Sequence, residues 1–419
     1  MHDARSGGMD ASDSGQEASI DAAPAVDTQC AFPWAKVSGC AGRTSSVIGS
    51  IQDSDDPRIA IAQSGSGRVA ICYASISSDF LTRSILAVTF MPTNLGQAQT
   101  TTLFTGTTDT TGACALAGGA GDTFHVVVYD TENDVLDYGD LVLHGGVPVY
   151  GTFGGSPMDG YVTLGLLTLD PAHVMAVVGN ATTGLIQSFS GITFDGGATF
   201  GAPITAESAI GLNVVGAGQF SVKVAHGTPT MLVDMEPGDA ATTSRADLAA
   251  LGGSTWGVQT VEGASLTSVV GYSPSVAVSD GGVHAVYFER GLGAPDAATS
   301  QIHVVDVVGG SVGSVQTPIA AYADNDPVNP LVGAASAVGP DGRLHIAYIA
   351  SPSSGNVSIF EARPQSTVAG SPILTDTVDD TLGPADPPSV NMLIEPSGRI
   401  DIVYMRLSAN AVYFATREP

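Results

Sequence analysis

One pattern recurs along this chain and limits the folds open to it. A short apolar run is followed by a tight turn carrying Gly with Asp or Ser, then by a second apolar run ending in an aromatic or aliphatic residue. The clearest copy is Pro274-Ser275-Val276-Ala277-Val278, then Ser279-Asp280-Gly281-Gly282, then Val283-His284-Ala285-Val286-Tyr287. It returns as PLVGAASAVGPDGRLHIAY ending at Tyr348, as PPSVNMLIEPSGRIDIVY ending at Tyr404 and, early, as PRIAIAQSGSGRVAICY ending at Tyr73. Weaker copies lie between: ACALAGGAGDTFHVVV ending at Val128, LGLLTLDPAHVMA ending at Ala176 and FSVKVAHGTPTMLV ending at Val233. The end points are about 55 residues apart, and seven such units account for residues 30 to 419. A unit of this length holds about four short strands, which is the sequence form of a β-propeller blade. The expectation is an all-β chain forming one seven-bladed propeller of four-stranded blades.

Within a unit the strand order follows from the turns. The run ending at Val278 is the innermost strand and the run ending at Tyr287 the second. Gln301-Ile302-His303-Val304-Val305 reads as a third strand, and Ser314-Val315-Gln316-Thr317 as a fourth. After Tyr404 a single strand fits, Asn410 to Ala415, so the last blade lacks its outer strand. Residues near Cys30 to Val37 are expected to supply it and close the ring, since closure removes exposed sheet edges. Residues 1–29 are nearly all Asp, Ala, Ser, Gly and Glu and cannot bury enough surface to offset their ordering entropy. They read as a disordered acidic leader or tether, with the propeller spanning 30–419.

Charge narrows the partners. Lys and Arg total 14 against 41 Asp and Glu, a formal net charge of -27. That excludes nucleic-acid binding through a basic face and disfavours anionic membranes. No apolar run reaches the roughly 18 residues of a membrane span. The four cysteines, Cys30, Cys40, Cys72 and Cys114, fit two disulfides of an oxidising compartment. Cys30 and Cys40 would clip the closing strand, and Cys72 with Cys114 would staple blade 1 to blade 2; the other pairings remain open. A secreted, periplasmic or surface-tethered location is expected, without membrane insertion and as a monomer.

Four histidines share one repeat position: His125, His173, His284 and His345, with Thr230 and Asp401 there in two other units. Equivalent second-strand residues of different blades lie on a wide ring, far beyond the ~2 Å of a metal–ligand bond. Each His is expected to pack between blades and bond a backbone group.

Thr193-Phe194-Asp195-Gly196-Gly197-Ala198-Thr199-Phe200 resembles the Asp box, a Ser/Thr-x-Asp-x-Gly-x-Thr-Trp turn of sialidase-like and BNR-repeat propellers, with Thr for Ser and Phe for Trp. Gly252-Gly253-Ser254-Thr255-Trp256 is a degraded echo. The resemblance implies a turn between third and fourth strands, on the face opposite an active site, with its aromatic plugging the blade. It also implies where to look for catalysis. Such enzymes hold a carboxylate with three arginines and use a Tyr/Glu nucleophilic pair and an Asp acid. Arg58, Arg290 and Arg406 fall on one face, but no Tyr/Glu pair is assignable from sequence, and Arg68, Arg343 and Arg399 sit in turns on the opposite face.

The loops entering inner strands carry Asp53-Ser54-Asp55-Asp56-Pro57, Asp324-Asn325-Asp326-Pro327 and Ala385-Asp386-Pro387. Asp before Pro starts turns well. If the loops converge, Asp55, Asp56, Asp324, Asp326 and Asp386 would repel one another, and Ca²⁺ with its six to eight oxygen ligands would relieve that. The expected function is therefore non-catalytic binding of a protein or glycan through the loop face, Ca²⁺ being the one cofactor entertained. The alternatives are a sialidase-like glycoside hydrolase and a polysaccharide lyase.

Overall fold

Each repeat folds into its own antiparallel sheet, and a computed structural model contains seven of them among its described residues. These residues are 45–50, 59–76, 82–106, 114–130, 135–142, 151–153, 162–180, 185–194, 197–207, 220–235, 244–263, 268–291, 299–323, 333–353, 356–364, 373–382, 389–406 and 411–417. The innermost strands, Ile59–Gln63, Cys114–Gly118, Val162–Asp170, Phe220–Ala225, Ser268–Ser279, Ala334–Val338 and Val390–Ile394, each touch the next, and the last touches the first. The chain is a seven-bladed β-propeller with no helix among the described residues.

Period-two alternation explains why the blades pack so closely. On the second strand of blade 1, Val69, Ile71 and Tyr73 pack with Val403 and Phe414 of blade 7. The intervening Ala70 and Cys72 pack with Phe124 and Val126 of blade 2. Every second strand is sandwiched in this way, so both of its faces are apolar. The repeat-ending tyrosines are all buried: Tyr73, Tyr287, Tyr348 and Tyr404. Burying one such side chain contributes roughly 1.5–3 kcal/mol, and the ring repeats the contact at every interface.

Small residues let the inner strands approach. A Cβ on Gly118 of blade 2 would lie 1.7 Å from the carbonyl oxygen of Gln63 in blade 1, so only glycine fits there. Blade 1 and blade 2 are further joined by the Cys72–Cys114 disulfide, the staple expected from the repeat positions. Cys30 and Cys40 lie outside the described residues.

Ring closure uses a different segment from the expected one. The outer strand of blade 7 is Ser45–Ser50, antiparallel to the C-terminal strand Ala411–Arg417, with Ser45 opposite Ala415 and Ser50 opposite Ala411. Residues 30–37 lie outside the described set. An outer edge strand is held by backbone hydrogen bonds, which any sequence can make, so its position is weakly marked in the sequence. The outer strand of blade 5 is displaced as well. It runs Gln316–Ala323, after a two-residue strand Ser311–Val312.

Candidate functional site

The seven inner strands surround a cavity of ≈ 200 Å³ on the propeller axis. Small and apolar residues such as Ala60, Ala115, Gly165 and Ala335 line it, but the surface exposed to the cavity is mainly polar. Polar groups there are largely spent in tying blade to blade. The Ser221 Oγ accepts from the Val276 amide at 3.1 Å, and the Ser275 Oγ accepts from the Ser336 amide at 2.8 Å. The Asn391 side-chain amide donates to the Ile59 carbonyl at 2.9 Å. No carboxylate is among the described residues lining the cavity.

The histidine position is structural, as expected, but its partner is a carboxylate and not the backbone. His125 Nδ1 lies 2.8 Å from Asp140, His284 Nδ1 2.6 Å from Asp306, and His345 Nδ1 2.7 Å from Glu361. Each carboxylate stands on the adjacent third strand of the same blade. A buried imidazole N–H needs an acceptor, and the third-strand carboxylate opposite it supplies one. In blade 7 Asp401 takes the position and accepts from Thr416 Oγ1 at 2.7 Å. His173 departs from the rule. It is exposed at a turn and pairs with Asp170 at 2.8 Å. That contact, after an Ala172 amide bond, holds the Asp170 carboxyl below its usual range.

A second repeated device was not seen in the sequence. Tyr287 donates to Glu262 Oε2 at 2.6 Å, and Tyr404 donates to Asp379 Oδ2 at 2.7 Å. In both cases the second-strand tyrosine reaches the fourth strand of the preceding blade. The facing third-strand residues are His303 and Tyr413. Beside Tyr287, His303 Nδ1 is 2.7 Å from Glu262 and its Nε2 is 3.3 Å from Glu289, so one imidazole links two partly exposed carboxylates. Beside Tyr404, Tyr413 stacks at 5.4 Å. The Arg406 guanidinium lies 5.2 Å over the Tyr413 ring and 4.0 Å from Asp379.

A Tyr/Glu pair is thus present, yet Tyr287 is wholly buried. Burial, and then Glu262, push its phenol far above the ordinary value. A nucleophilic tyrosine needs the reverse shift and an open face. The pair could have been suspected from the shared repeat position of Tyr287 and Tyr404, since each has its acceptor 25 residues earlier in the chain, on the preceding blade.

Of the expected ligand arginines, Arg406 is drawn into the stack just described. Arg290 stands in the second strand of blade 5 opposite Val269, and Arg58 lies outside the described residues. Asp55, Asp56, Asp324, Asp326 and Asp386 also lie outside them. The described residues contain no cluster of three or more metal-ligating side chains.

The Asp-box segment forms the hairpin between third and fourth strands of blade 3, Leu185–Phe194 and Gly197–Phe200. Phe200 packs edge-on against Tyr138 of blade 2 at 5.4 Å. Its echo forms the same hairpin in blade 4, where Trp256 donates to Ser188 of blade 3 at 3.0 Å. Both aromatics anchor a fourth strand on the third strand of the preceding blade. Asp195 lies outside the described residues.

No family model and no curated protein matches the chain. Solved structures do. It is similar to an α-L-arabinofuranosidase of Fusarium graminearum solved with arabinobiose, at 11% identity and a TM-score of 0.52, covering 90% of this chain and 98% of that one. It is likewise similar to an α-L-arabinanase of Penicillium chrysogenum complexed with arabinobiose, at 12% identity and a TM-score of 0.50, with coverage of 90% and 98%. At such identities the likeness is one of fold.

Proposed function

We propose that this propeller binds a neutral glycan on its loop face without hydrolysing it. The observation that carries the reading is the closure of the Tyr287–Glu262 and Tyr404–Asp379 pairs inside blade interfaces. The groups a tyrosine-nucleophile glycosidase would expose serve here as ties between blades. The two arabinobiose-bearing propellers show that this fold accommodates short neutral sugars. The net charge of -27 favours uncharged or cationic ligands over anionic ones. A disulfide joining two blades suits an oxidising compartment, and placement outside the cytoplasm belongs to the same reading.

A hydrolytic reading draws on one spot. Glu262 and Glu289 flank His303, and glycosidases need two carboxylates either side of the scissile bond. One experiment separates the two. The full chain is applied to a glycan array and incubated with a panel of chromogenic glycosides, arabinofuranosides included. Saturable binding to neutral glycans without turnover supports the binder. Turnover that Glu262→Gln or Glu289→Gln abolishes overturns it.

A further inference from the structure

Lys223 breaks the repeat. It stands on the inner strand of blade 4 opposite Thr230. The equivalent positions carry Ala62, Ala117, Ala277, Ala337 and Leu393, each opposite the matching residue of its own second strand. Four blades therefore place alanine here and one leucine; blade 3 has Asp170 opposite His173, at the exposed turn where the register shifts, and blade 4 is the one that places a cation. The chain has one other lysine, Lys36.

The side chain lines the axial cavity and is its one charged group among the described residues. It is open to the cavity, yet seven strands wall it in, and no described residue bonds or pairs with its ammonium. That incomplete hydration holds its pKa below the ordinary lysine value.

The nearby hydroxyls add donors. Ser221, two residues away on the same side of the strand, accepts the Val276 amide, and its own proton is free to donate. Ser275 and Ser336 share one hydrogen bond at 2.8 Å, and Ser275 also accepts the Ser336 amide. One of their two protons is used between them and one is left over. A cavity with an unneutralised ammonium and spare hydroxyl protons, and with no carboxylate among the described residues that line it, is built to receive negative charge.

We propose that the axial channel is a binding site for a small oxyanion, held by the Lys223 ammonium with the hydroxyls of Ser221 and the Ser275–Ser336 pair. Inorganic phosphate or sulfate and the carboxylate of a short organic acid share this chemistry. The negative charge of the whole chain does not forbid it. Exposed charges are screened over roughly 8–10 Å at physiological salt, whereas a walled-in ammonium acts at hydrogen-bond range. The site is also remote from the loop face. Lys223 lies three residues before the His226–Gly227 turn, on the side of the tight turns.

The scarcity of lysine makes the test direct. The full chain is produced with ¹³C-labelled lysine, giving one set of side-chain NMR signals for Lys223 and one for Lys36. Phosphate, sulfate and acetate are titrated separately at constant ionic strength. The Lys223 signals should move saturably while those of Lys36 do not, and the anion of lowest Kd identifies the source. Lys223→Ala, which installs the residue of four other blades, should abolish the accompanying rise in Tm. Lys223→Arg should retain it. Ser221→Ala should weaken binding about tenfold or more, as expected for a lost hydrogen bond to a charged group. Linear, unsaturable movement of both lysines, or a rise in Tm that persists in Lys223→Ala, would overturn the proposal. The glycan array addresses the other face, so either result stands without the other.

Discussion

The indole of Trp256 donates from Nε1 to the Ser188 hydroxyl at 3.0 Å, and this bond crosses from blade 4 to blade 3. Both residues are buried. Ser188→Ala removes the acceptor and leaves a buried N–H unsatisfied, a loss of about 1–3 kcal/mol. Equilibrium denaturation should show it, with the Trp256 fluorescence, followed in a Trp34→Phe background, reporting the same transition. A variant as stable as the parent would mean the indole finds another acceptor.

Glu361 should be among the most costly side chains to neutralise. It is fully buried on the third strand of blade 6, 2.7 Å from His345 Nδ1 and 2.9 Å from Arg417 Nη1 on blade 7. Arg363 Nε lies 3.4 Å away. Glu361→Gln leaves two guanidinium groups without their central carboxylate, and breaking a buried pair of this kind costs about 3–5 kcal/mol. Urea denaturation measures the loss. A change below about 1 kcal/mol would show that Asp376, which also faces both arginines, carries the charge balance.

The disulfide between Cys72 and Cys114 encloses a sequence separation of 42. Chain entropy alone gives about 4 kcal/mol for a loop of that size. The Cys72→Ala, Cys114→Ala double variant should lose about 2–4 kcal/mol in denaturant with little change in fold. Both positions face the blade 1–blade 2 core, where alanine is already common.

High pH should unfold the ring cooperatively. Burial raises Tyr73 and Tyr348 from 10.0 to about 12. Tyr138, Tyr287 and Tyr404 are raised further, by burial first and then by Asp140, Glu262 and Asp379. A phenol whose folded pKa exceeds its unfolded value stabilises the fold fully below pH 10 and progressively less as pH rises towards 12 and beyond. Stability should thus be level up to about pH 10 and then fall, with tyrosinate absorbance rising in step with loss of the sheet signal. Tyrosines that titrate near pH 10 in a folded chain would contradict the assigned burial.

The architecture was legible because the second strands are buried on both faces and, in six of the seven blades, a glycine-bearing turn leads into them from the inner strand. Even the weak unit around Val233 folds as read, with inner strand Phe220–Ala225 and second strand Thr228–Met235. Outer strands are less constrained, which is why the strand at Ser45–Ser50 was placed too early in the chain and that at Gln316–Ala323 too early by two residues. The site was harder to read. Tyr287 and Glu262, or Tyr404 and Asp379, meet because one blade leans on the next; both pairs are 25 residues apart, but the acceptor is Glu in one and Asp in the other, and nothing local marks either as a partner. Lys223 was visible as one of two lysines, but its meaning appears only once the register shows alanine at the matching position of other blades.

The seam in blade 7 has a kinetic consequence. Six blades are made of strands close together in sequence, while the seventh waits for residue 45 to meet residue 415. Loop-closure entropy grows only logarithmically, so the completed ring loses little stability to that distance. The rate is another matter, because non-local pairings form late. Until they do, the edge of the Ala411–Arg417 strand is open to the Ser45–Ser50 segment of any neighbouring molecule. Refolding at high concentration therefore favours dimers that have exchanged this one strand, each ring closed by the other's chain.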